Sequence, residues 1–278
     1  MSVHTPKRSA ALLFGINYVG QGDRVHLKGC STDMCSMRDF LVQSLPNIRV
    51  EMCTDDAACM HYSHKRKNGT TRKGMISHLT DMARRSSSDD LELVVIHYSG
   101  HGTSNNNCGG GVGVEDENGL DECLVPSDYQ VAGCIRDDFI SRVLTSFNPK
   151  TRILFVCDTS NSGTICNLPV RWVNGTPLSN TENNLASVNM RIKKTSCPPN
   201  IASLSVYKQK SIDNFKMEEQ QKYEGTLTSC MIRVLNDNPM LRKDFLTMYQ
   251  VVTELLEGHT FSPVLCSNYD LRHTNDVV

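Results

Sequence analysis

Residues 91–103 read LELVVIHYSGHGT, an apolar run that ends in small and polar residues around His101. The run Leu91–Tyr98 has the length and composition of a strand that is buried on both faces. His101 then lies between two glycines, in a turn at the end of that strand. A histidine placed there can act as a general acid or base when a nucleophile lies at a neighbouring strand end. Taken alone, the stretch leaves a purely structural histidine open.

A second apolar run ends in polar residues in the same way. Residues 152–164 read RILFVCDTSNSGT, in which the run Arg152–Cys157 is followed by Asp158. A buried strand that ends in this way delivers side chains to the rim of a sheet. The turn after Asp158 offers only threonine and serine hydroxyls, none of which is a strong nucleophile without an adjacent base.

Apolar runs of strand length alternate along the chain with segments of helical spacing. The strand-length runs are Ala10–Ile16, Leu91–Tyr98, Arg152–Cys157, Ile201–Val206 and Pro263–Cys266. The helical faces are Met34, Met37, Leu41 and Leu45; Met75, Ile76, Leu79 and Met82; Phe139, Ile140, Val143, Leu144 and Phe147; Leu227, Met231, Val234 and Leu235; and Phe245, Met248, Val252 and Leu256. This alternation predicts an α/β fold with a mostly parallel sheet covered by helices on both faces. The ligand crevice of such a sheet lies beyond the carboxyl ends of its strands.

The composition is that of a globular protein, with 278 residues, a net charge of −1 and 39% hydrophobic residues. There is no basic excess to predict nucleic-acid binding and no run of 18 apolar residues to predict a transmembrane helix. The first ten residues, MSVHTPKRSA, contain no apolar signal core. The twelve cysteines form no CxxC pair, which argues against a structural zinc site. We therefore expect reduced thiols and a cytoplasmic location.

Six stretches together give the chain a specific resemblance to the metacaspases, which are caspase-like cysteine peptidases. The stretches are ALLFGINY (11–18), LKGCSTDMCSM (27–37), HYSGHGT (97–103), FVCDTSNSGT (155–164), EGTLTSCMIRVL (224–235) and SPVLCSNYD (262–270). The resemblance implies a caspase-like three-layer sandwich in one structural domain, and a monomer. It divides the chain into a large-subunit-like region, 1–168, a polar connecting loop, 169–200, and a small-subunit-like region, 201–278.

The resemblance also assigns the catalytic positions. His101 takes the acid/base role, and the backbone N–H groups of Gly102 and residue 160 form an oxyanion hole. Aligning the nucleophile motif puts Ser160 at the catalytic cysteine and Asn161 at the histidine that usually lies beside that cysteine. A serine hydroxyl is a far weaker acid than a thiol, and a His–Cys dyad has no carboxylate that orients its imidazole. We therefore expect little or no peptidase activity from the chain as it stands.

The resemblance assigns Cys30, Asp33, Ser99 and Asp158 to the pocket for the residue before the scissile bond. Two carboxylates that converge in a cleft repel each other and lose hydration. A guanidinium or ammonium group would neutralise them, and arginine makes the better forked contact. The implied substrates are peptides or proteins cut after arginine or lysine. The alternative is that Asp33 only caps its helix and Asp158 only ends its strand.

A further set of oxygen-bearing side chains matches carboxylates that bind activating calcium in many metacaspases. The set consists of Asp121, Asp137, Asp138 and Asn167, where asparagine replaces the fourth carboxylate of some relatives. Hard oxygen ligands from separated loops suit Ca²⁺, and the lost charge should weaken binding. The alternative is that Asp137 and Asp138 only cap a helix.

Three functions are open for the whole chain. The first is a calcium-stimulated endopeptidase directed at arginine and lysine, inactivated by Ser160. The second is a natural pseudopeptidase that binds or regulates, and the third is a serine hydrolase that uses Ser160 and His101. In an active parent, Lys193–Lys194 would be a candidate self-cleavage site, although such a pair is also typical of a solvated surface.

Overall fold

The structure is a computed structural model that describes residues 6–62, 69–104, 122–159, 165–179, 198–208, 226–257 and 261–273. The strands are β1 Ser9–Gly15, β2 Arg49–Thr54, β3 Leu93–Ser99, β4 Gly102–Ser104, β5 Glu122–Leu124, β6 Ile135–Arg136, β7 Arg152–Asp158, β8 Val170–Val173, β9 Thr176–Ser179, β10 Asn200–Lys208 and β11 Phe261–Ser267. The α-helices are α1 Cys30–Ser44, α2 Arg72–Ser88, α3 Tyr129–Ala132, α4 Asp137–Thr145, α5 Thr226–Asp237 and α6 Phe245–Leu255. Short 3-10 helices span Ala57–Tyr62, Pro239–Lys243 and Leu271–His273.

Within the described residues, eight strands form one sheet in the order β2-β1-β3-β7-β10-β11-β8-β9. The pairs from β2 to β10 are parallel, and the pairs that involve β11, β8 and β9 are antiparallel. Strands β4, β5 and β6 form a separate antiparallel sheet. The mostly parallel α/β architecture predicted from the alternating strands and helices is confirmed.

The sheet is covered on both faces because successive side chains of a strand point to opposite sides. In β1, Ala10, Leu12 and Phe14 belong to one core cluster, which also contains the apolar residues of α2 and α4. Ala11 and Leu13 belong to a second cluster with the apolar residues of α1, α5 and α6. Burial on both sides explains why these strands are almost continuously apolar rather than alternating.

Residues 170–179 differ from the polar connecting loop expected for 169–200. They form β8 and β9, a hairpin that extends the sheet beyond β11. Trp172 is 1% exposed, and its indole N–H donates to the Ser267 hydroxyl at 2.8 Å. Burial of this one large side chain explains why a polar stretch joins the sheet. Residues 180–197, including Lys193–Lys194, lie outside the described residues.

Two further findings concern the cysteines and the membrane. Among the described cysteines, nine are free and Cys134 is disulfide-bonded. The expectation that all thiols are reduced is therefore wrong at Cys134. None of the helices in the described ranges is long and apolar enough to cross a bilayer.

Candidate active site

The carboxyl ends of three neighbouring strands meet at one edge of the sheet. Ser99, the last residue of β3, is the register partner of Gly15 in β1 and of Asp158 in β7. The backbone N–H of Ile16 donates to the Ser99 carbonyl at 3.0 Å, which holds the edge together beyond the strands. The segment that contains His101 therefore begins beside the end of β7 at Asp158.

The first turn of α1 brings the remaining pocket residues to this edge. A Cβ atom on Gly15 would lie 2.5 Å from the Cys30 carbonyl oxygen, so glycine allows the helix to approach the strand end. Asp33 lies in that turn, and its Oδ2 accepts a hydrogen bond from the Ser99 hydroxyl at 2.7 Å. Asp158 accepts a hydrogen bond from the backbone N–H of Thr228 in α5 at 2.8 Å. All four predicted pocket residues, Cys30, Asp33, Ser99 and Asp158, are buried.

The two carboxylates influence each other electrostatically. Burial raises the pKa of Asp33 from 3.8 to about 7, the negative charge of Asp158 acts in the same direction, and the Ser99 hydroxyl opposes both. Both causes favour the protonated form of Asp33, and a cation in the cleft would favour the ionised form. The N-cap residue of α1 is Gly29, which has no side chain to cap the helix, and Asp33 lies in the first turn, where a negative charge also suits the helix dipole.

The imidazole of His101 is held by a backbone carbonyl. Its Nε2 lies 2.7 Å from the carbonyl oxygen of Val25. Since a carbonyl can only accept, we assign the hydrogen to Nε2, which leaves Nδ1 as the basic nitrogen. Burial lowers the pKa of His101, and the Val25 carbonyl partly opposes that shift. The ring is therefore neutral at pH 7 and able to accept a proton.

The nucleophile position follows directly from this edge in the chain. Thr159 is buried next to the end of β7, whereas Ser160 and Asn161 lie outside the described residues. Gly102 begins β4, whose register pairs it with Leu124 of β5. The structure thus places the four pocket residues at one edge of the main sheet, and His101 and Gly102 follow in the chain just after β3 ends at that edge.

Three of the four predicted calcium ligands lie together at the start of α4. Asp137 is buried, and its Oδ1 accepts a hydrogen bond from the Asp138 backbone N–H at 2.7 Å. The Asn167 amide lies 3.5 Å from Asp138 Oδ1. Burial is the main cause that raises the pKa of Asp137. Asp121 lies outside the described residues, within which no group of three or more His, Cys, Asp or Glu side chains could hold a metal ion.

Sequence reasoning did not identify several residues that contact the site. These are Asn17, Tyr18, Val25, His97 and Thr228. Asn17 and Tyr18 belong to the stretch ALLFGINY, and Thr228 belongs to EGTLTSCMIRVL, but neither stretch indicates what its polar residues contact. Val25 acts through a backbone carbonyl, for which no sequence signal exists.

Comparison with known proteins gives consistent matches. A family profile described as "Metacaspase, peptidase C14 domain" matches residues 9–169. Metacaspase-3 of Arabidopsis thaliana is 34% identical over 165 residues, which are 58% of this chain and 42% of that protein. Metacaspase-1A of Aspergillus terreus is 32% identical over 168 residues, which are 59% of this chain and 38% of that protein. The chain thus spans about two fifths of the length of these relatives.

A solved structure shares the fold of nearly the whole chain. Protein GSU0716 from Geobacter sulfurreducens superposes with a TM-score of 0.59 at 18% identity, and the match covers 97% of each chain. At that identity the likeness concerns the fold alone.

Proposed function

Because this chain belongs to the metacaspase family of caspase-like cysteine peptidases, we propose that its strand-end site is a peptidase site for peptides with arginine or lysine before the scissile bond. The observation that carries this proposal is the buried pair Asp33 and Asp158 at the strand edge that leads into His101. We further propose that Ser160 leaves the site inactive or nearly so.

The pocket supports a cationic side chain by its negative charge. Asp33 accepts a hydrogen bond from a hydroxyl and Asp158 accepts one from a backbone N–H, and both of these donors are uncharged. An arginine guanidinium would supply a positive charge and several donors at once, and that charge would favour the ionised form of both carboxyls. Lysine would supply the charge with a less specific geometry.

His101 supports the acid/base role through its tautomer. With Nε2–H donated to Val25, Nδ1 remains to take a proton from an attacking group and return it to the leaving amine. A thiol at position 160 would give up its proton readily, whereas a serine hydroxyl requires a base that is well oriented during attack. The Gly102 backbone N–H, together with that of residue 160, would stabilise the oxyanion.

Calcium stimulation is the third part of the proposal. The cluster of Asp137, Asp138 and Asn167 offers carboxylate and amide oxygens of the kind that Ca²⁺ prefers, and Asp121 directly precedes β5. Burial and the negative charge of Asp138 raise the pKa of Asp137, and a divalent ion between the two carboxylates would offset both effects. When bound, Ca²⁺ would supply positive charge that holds these loops together. The contact of Asp137 with the Asp138 N–H also fits a helix start, so the ion must be tested directly.

The remaining expectations follow from family membership and composition. We propose a monomer that acts on protein substrates and binds no nucleic acid, and a cytoplasmic location because nine of the ten described cysteines are free. Lys193–Lys194 is a candidate cleavage site for an active form because it matches the proposed specificity.

The test is to compare Ser160→Cys with Ser160→Ala, using a fluorogenic peptide that ends in arginine, with and without calcium. We expect turnover only for Ser160→Cys, with stimulation by calcium and no cleavage of a matched peptide that ends in aspartate. The Asp33→Asn variant of Ser160→Cys should lose the preference for arginine. An inert Ser160→Cys protein would overturn the peptidase proposal. Calorimetric titration with Ca²⁺ tests the metal site, and no heat at millimolar calcium would remove it.

The second candidate is a natural pseudopeptidase that keeps the pocket for binding. Asn161 and Asn167 favour it, since both depart from the family pattern near the site. Binding of an arginine-terminated peptide by the unaltered chain, together with an inert Ser160→Cys variant, would support it. Activity of the unaltered chain that is lost in Ser160→Ala would instead support a serine hydrolase.

A further inference from the structure

Two buried tyrosine hydroxyls form hydrogen bonds with the backbone of the candidate catalytic histidine. The backbone N–H of His101 donates to the Tyr18 hydroxyl at 2.8 Å, and the Tyr98 hydroxyl donates to the His101 carbonyl at 2.7 Å. We propose that Tyr18 is a positioning residue for His101, whose hydroxyl fixes the histidine backbone and whose ring sets the plane of the imidazole. The catalytic meaning of this role rests on the proposed peptidase function.

The Tyr18 hydroxyl uses both its donor and its acceptor in this contact. It accepts from the His101 N–H and donates to the Val125 carbonyl at 2.7 Å. Tyr98 Oη lies 3.2 Å away and joins the same cluster. Removal of the Tyr18 hydroxyl would therefore leave a half-buried N–H and a buried carbonyl without this partner.

The Tyr18 ring restricts the imidazole from a second direction. The two ring centroids lie 4.6 Å apart with an interplanar angle of 40°. The Val25 carbonyl holds Nε2 at 2.7 Å. Backbone, ring face and Nε2 are thus each restrained by a different group, which leaves Nδ1 as the nitrogen that can accept a proton.

The backbone around Tyr18 is itself fixed in an uncommon conformation. Tyr18 has φ 55, in the left-handed region that bulky residues rarely adopt. The Asp55 carboxylate accepts from the N–H groups on either side, Asn17 at 2.7 Å and Val19 at 3.0 Å. A strained residue that its neighbours hold in place is typical of a functional site rather than of ordinary core packing.

The glycine before His101 also fits this arrangement. A Cβ atom on Gly100 would lie 2.8 Å from the Tyr98 hydroxyl and 3.1 Å from the Tyr18 hydroxyl. Glycine therefore lets both hydroxyls approach the histidine backbone.

The test uses Tyr18→Phe, which removes the hydroxyl and keeps the ring, in the otherwise unaltered chain. The matched control is Tyr249→Phe, because the buried Tyr249 hydroxyl also donates to a backbone carbonyl, that of Pro263 at 3.1 Å. Nuclear magnetic resonance would follow hydrogen exchange of the His101 amide and the ¹⁵N signals of its imidazole. We expect Tyr18→Phe to speed that exchange about tenfold or more and to move the ring signals, while the control changes neither.

Unchanged His101 signals in Tyr18→Phe, or equal changes in the two variants, would overturn the proposal. Should Tyr18→Phe fail to fold, Gly100→Ala provides a second variant, since its Cβ atom would crowd the Tyr98 and Tyr18 hydroxyls without deleting either one and should expose the same amide. A folded Gly100→Ala protein with an unaltered His101 amide would also overturn the proposal.

A kinetic measurement then separates positioning from the proposed peptidase function. In the Ser160→Cys background, Tyr18→Phe should lower kcat about tenfold while KM stays within about twofold, and Tyr249→Phe should change neither. An equal loss in both variants would contradict a positioning role. An inert Ser160→Cys parent would count against the peptidase proposal alone, because the resonance experiment judges Tyr18 without any turnover.

Discussion

Asp33 and Asp158 influence each other electrostatically but have different hydrogen-bond partners. Asp158 accepts a backbone N–H in the first turn of α5, where the helix dipole favours negative charge. Asp33 accepts instead from the Ser99 hydroxyl, and burial raises its pKa to about 7. Burial and the negative charge of Asp158 therefore both favour the protonated form of Asp33.

Asp33→Asn tests this difference through the pH dependence of stability. The unfolded chain loses the Asp33 proton near its ordinary pKa of 3.8, whereas the folded protein keeps it up to about 7. The free energy of unfolding should therefore fall as the pH rises from about 4 to 7. Asparagine does not ionise, so the variant should not show this fall. We expect Asp33→Asn to raise the free energy of unfolding by about 1–4 kcal/mol at pH 8 and to change it little at pH 4. Urea denaturation at both pH values measures the effect.

The control for Asp33→Asn is Asp39→Asn, because the Asp39 side chain is 64% exposed. It should change stability by less than about 0.5 kcal/mol at either pH. A stability change in Asp33→Asn that is the same at pH 4 and pH 8 would count against a protonated Asp33.

His97 gives the opposite pH dependence and a second prediction. Its buried Nε2 lies 3.0 Å from the Thr228 hydroxyl, and burial lowers its pKa from 6.5 to about 3. Below pH 6.5 the imidazole of His97 becomes protonated in the unfolded chain but stays neutral in the folded protein until the pH approaches about 3. The folded protein therefore loses stability as the pH decreases through this range. His97→Gln should reduce that slope between pH 6 and pH 4 by about 1.4 kcal/mol per pH unit. Denaturation across that range checks it, and an unchanged slope would contradict it.

At the scale of elements, the start of α1 depends on a residue outside the helix. The Asn17 Oδ1 accepts from the backbone N–H of Cys30 at 3.1 Å and of Ser31 at 3.3 Å. Its amide nitrogen donates to the Ser31 hydroxyl and to Asp56. Asn17 lies far from the helix in sequence, yet its side-chain oxygen accepts the N-terminal N–H groups that an N-cap side chain usually accepts. These hydrogen bonds fix the first turn of α1, which contains Asp33.

Asn17→Ala should lower the free energy of unfolding by about 1–3 kcal/mol and weaken binding of an arginine-terminated peptide. Asn268→Ala is the matched control, because the Asn268 amide also bonds two backbone groups, those of Ile201 and Pro199, each at 2.8 Å. The control should lose similar stability and keep its affinity for the peptide. Urea denaturation and calorimetric titration provide the two readouts, and equal losses of affinity would refute a specific role of Asn17.

The elements that sequence could predict are those with a strong local pattern. All of Met34, Met37, Leu41 and Leu45 are buried, as the helical spacing predicts. Edge strands gave no such signal, because β2 alternates apolar residues with Arg49 and Glu51 and is covered by a neighbouring strand on one side only. The hairpin of β8 and β9 depends on one buried tryptophan, which periodicity cannot reveal.

At the scale of the whole molecule, sequence predicted which strands carry the site but not what holds the site residues. The carboxyl ends of β3 and β7 meet because parallel neighbours end at the same edge, so Ser99 and Asp158 could be placed together in advance. The contacts of Tyr18 with Val125 and of His97 with Thr228 join residues 107 and 131 positions apart. Such contacts depend on tertiary packing, so no local sequence pattern predicts them.

The position of β10 in the sheet predicts how the protein behaves when the chain is cut between its two regions. Strand β10 lies between β7 and β11, and its residues Ile201 and Leu204 are buried. The described part of the C-terminal region is thus held by strand pairing and by a buried core, not by the connection alone. An engineered protease site within 180–197 should therefore yield two fragments that co-elute in gel filtration and unfold in one transition, at a lower urea midpoint than the uncut chain because the chain connection is lost. Fragments that separate without denaturant would show instead that the two regions are independent units.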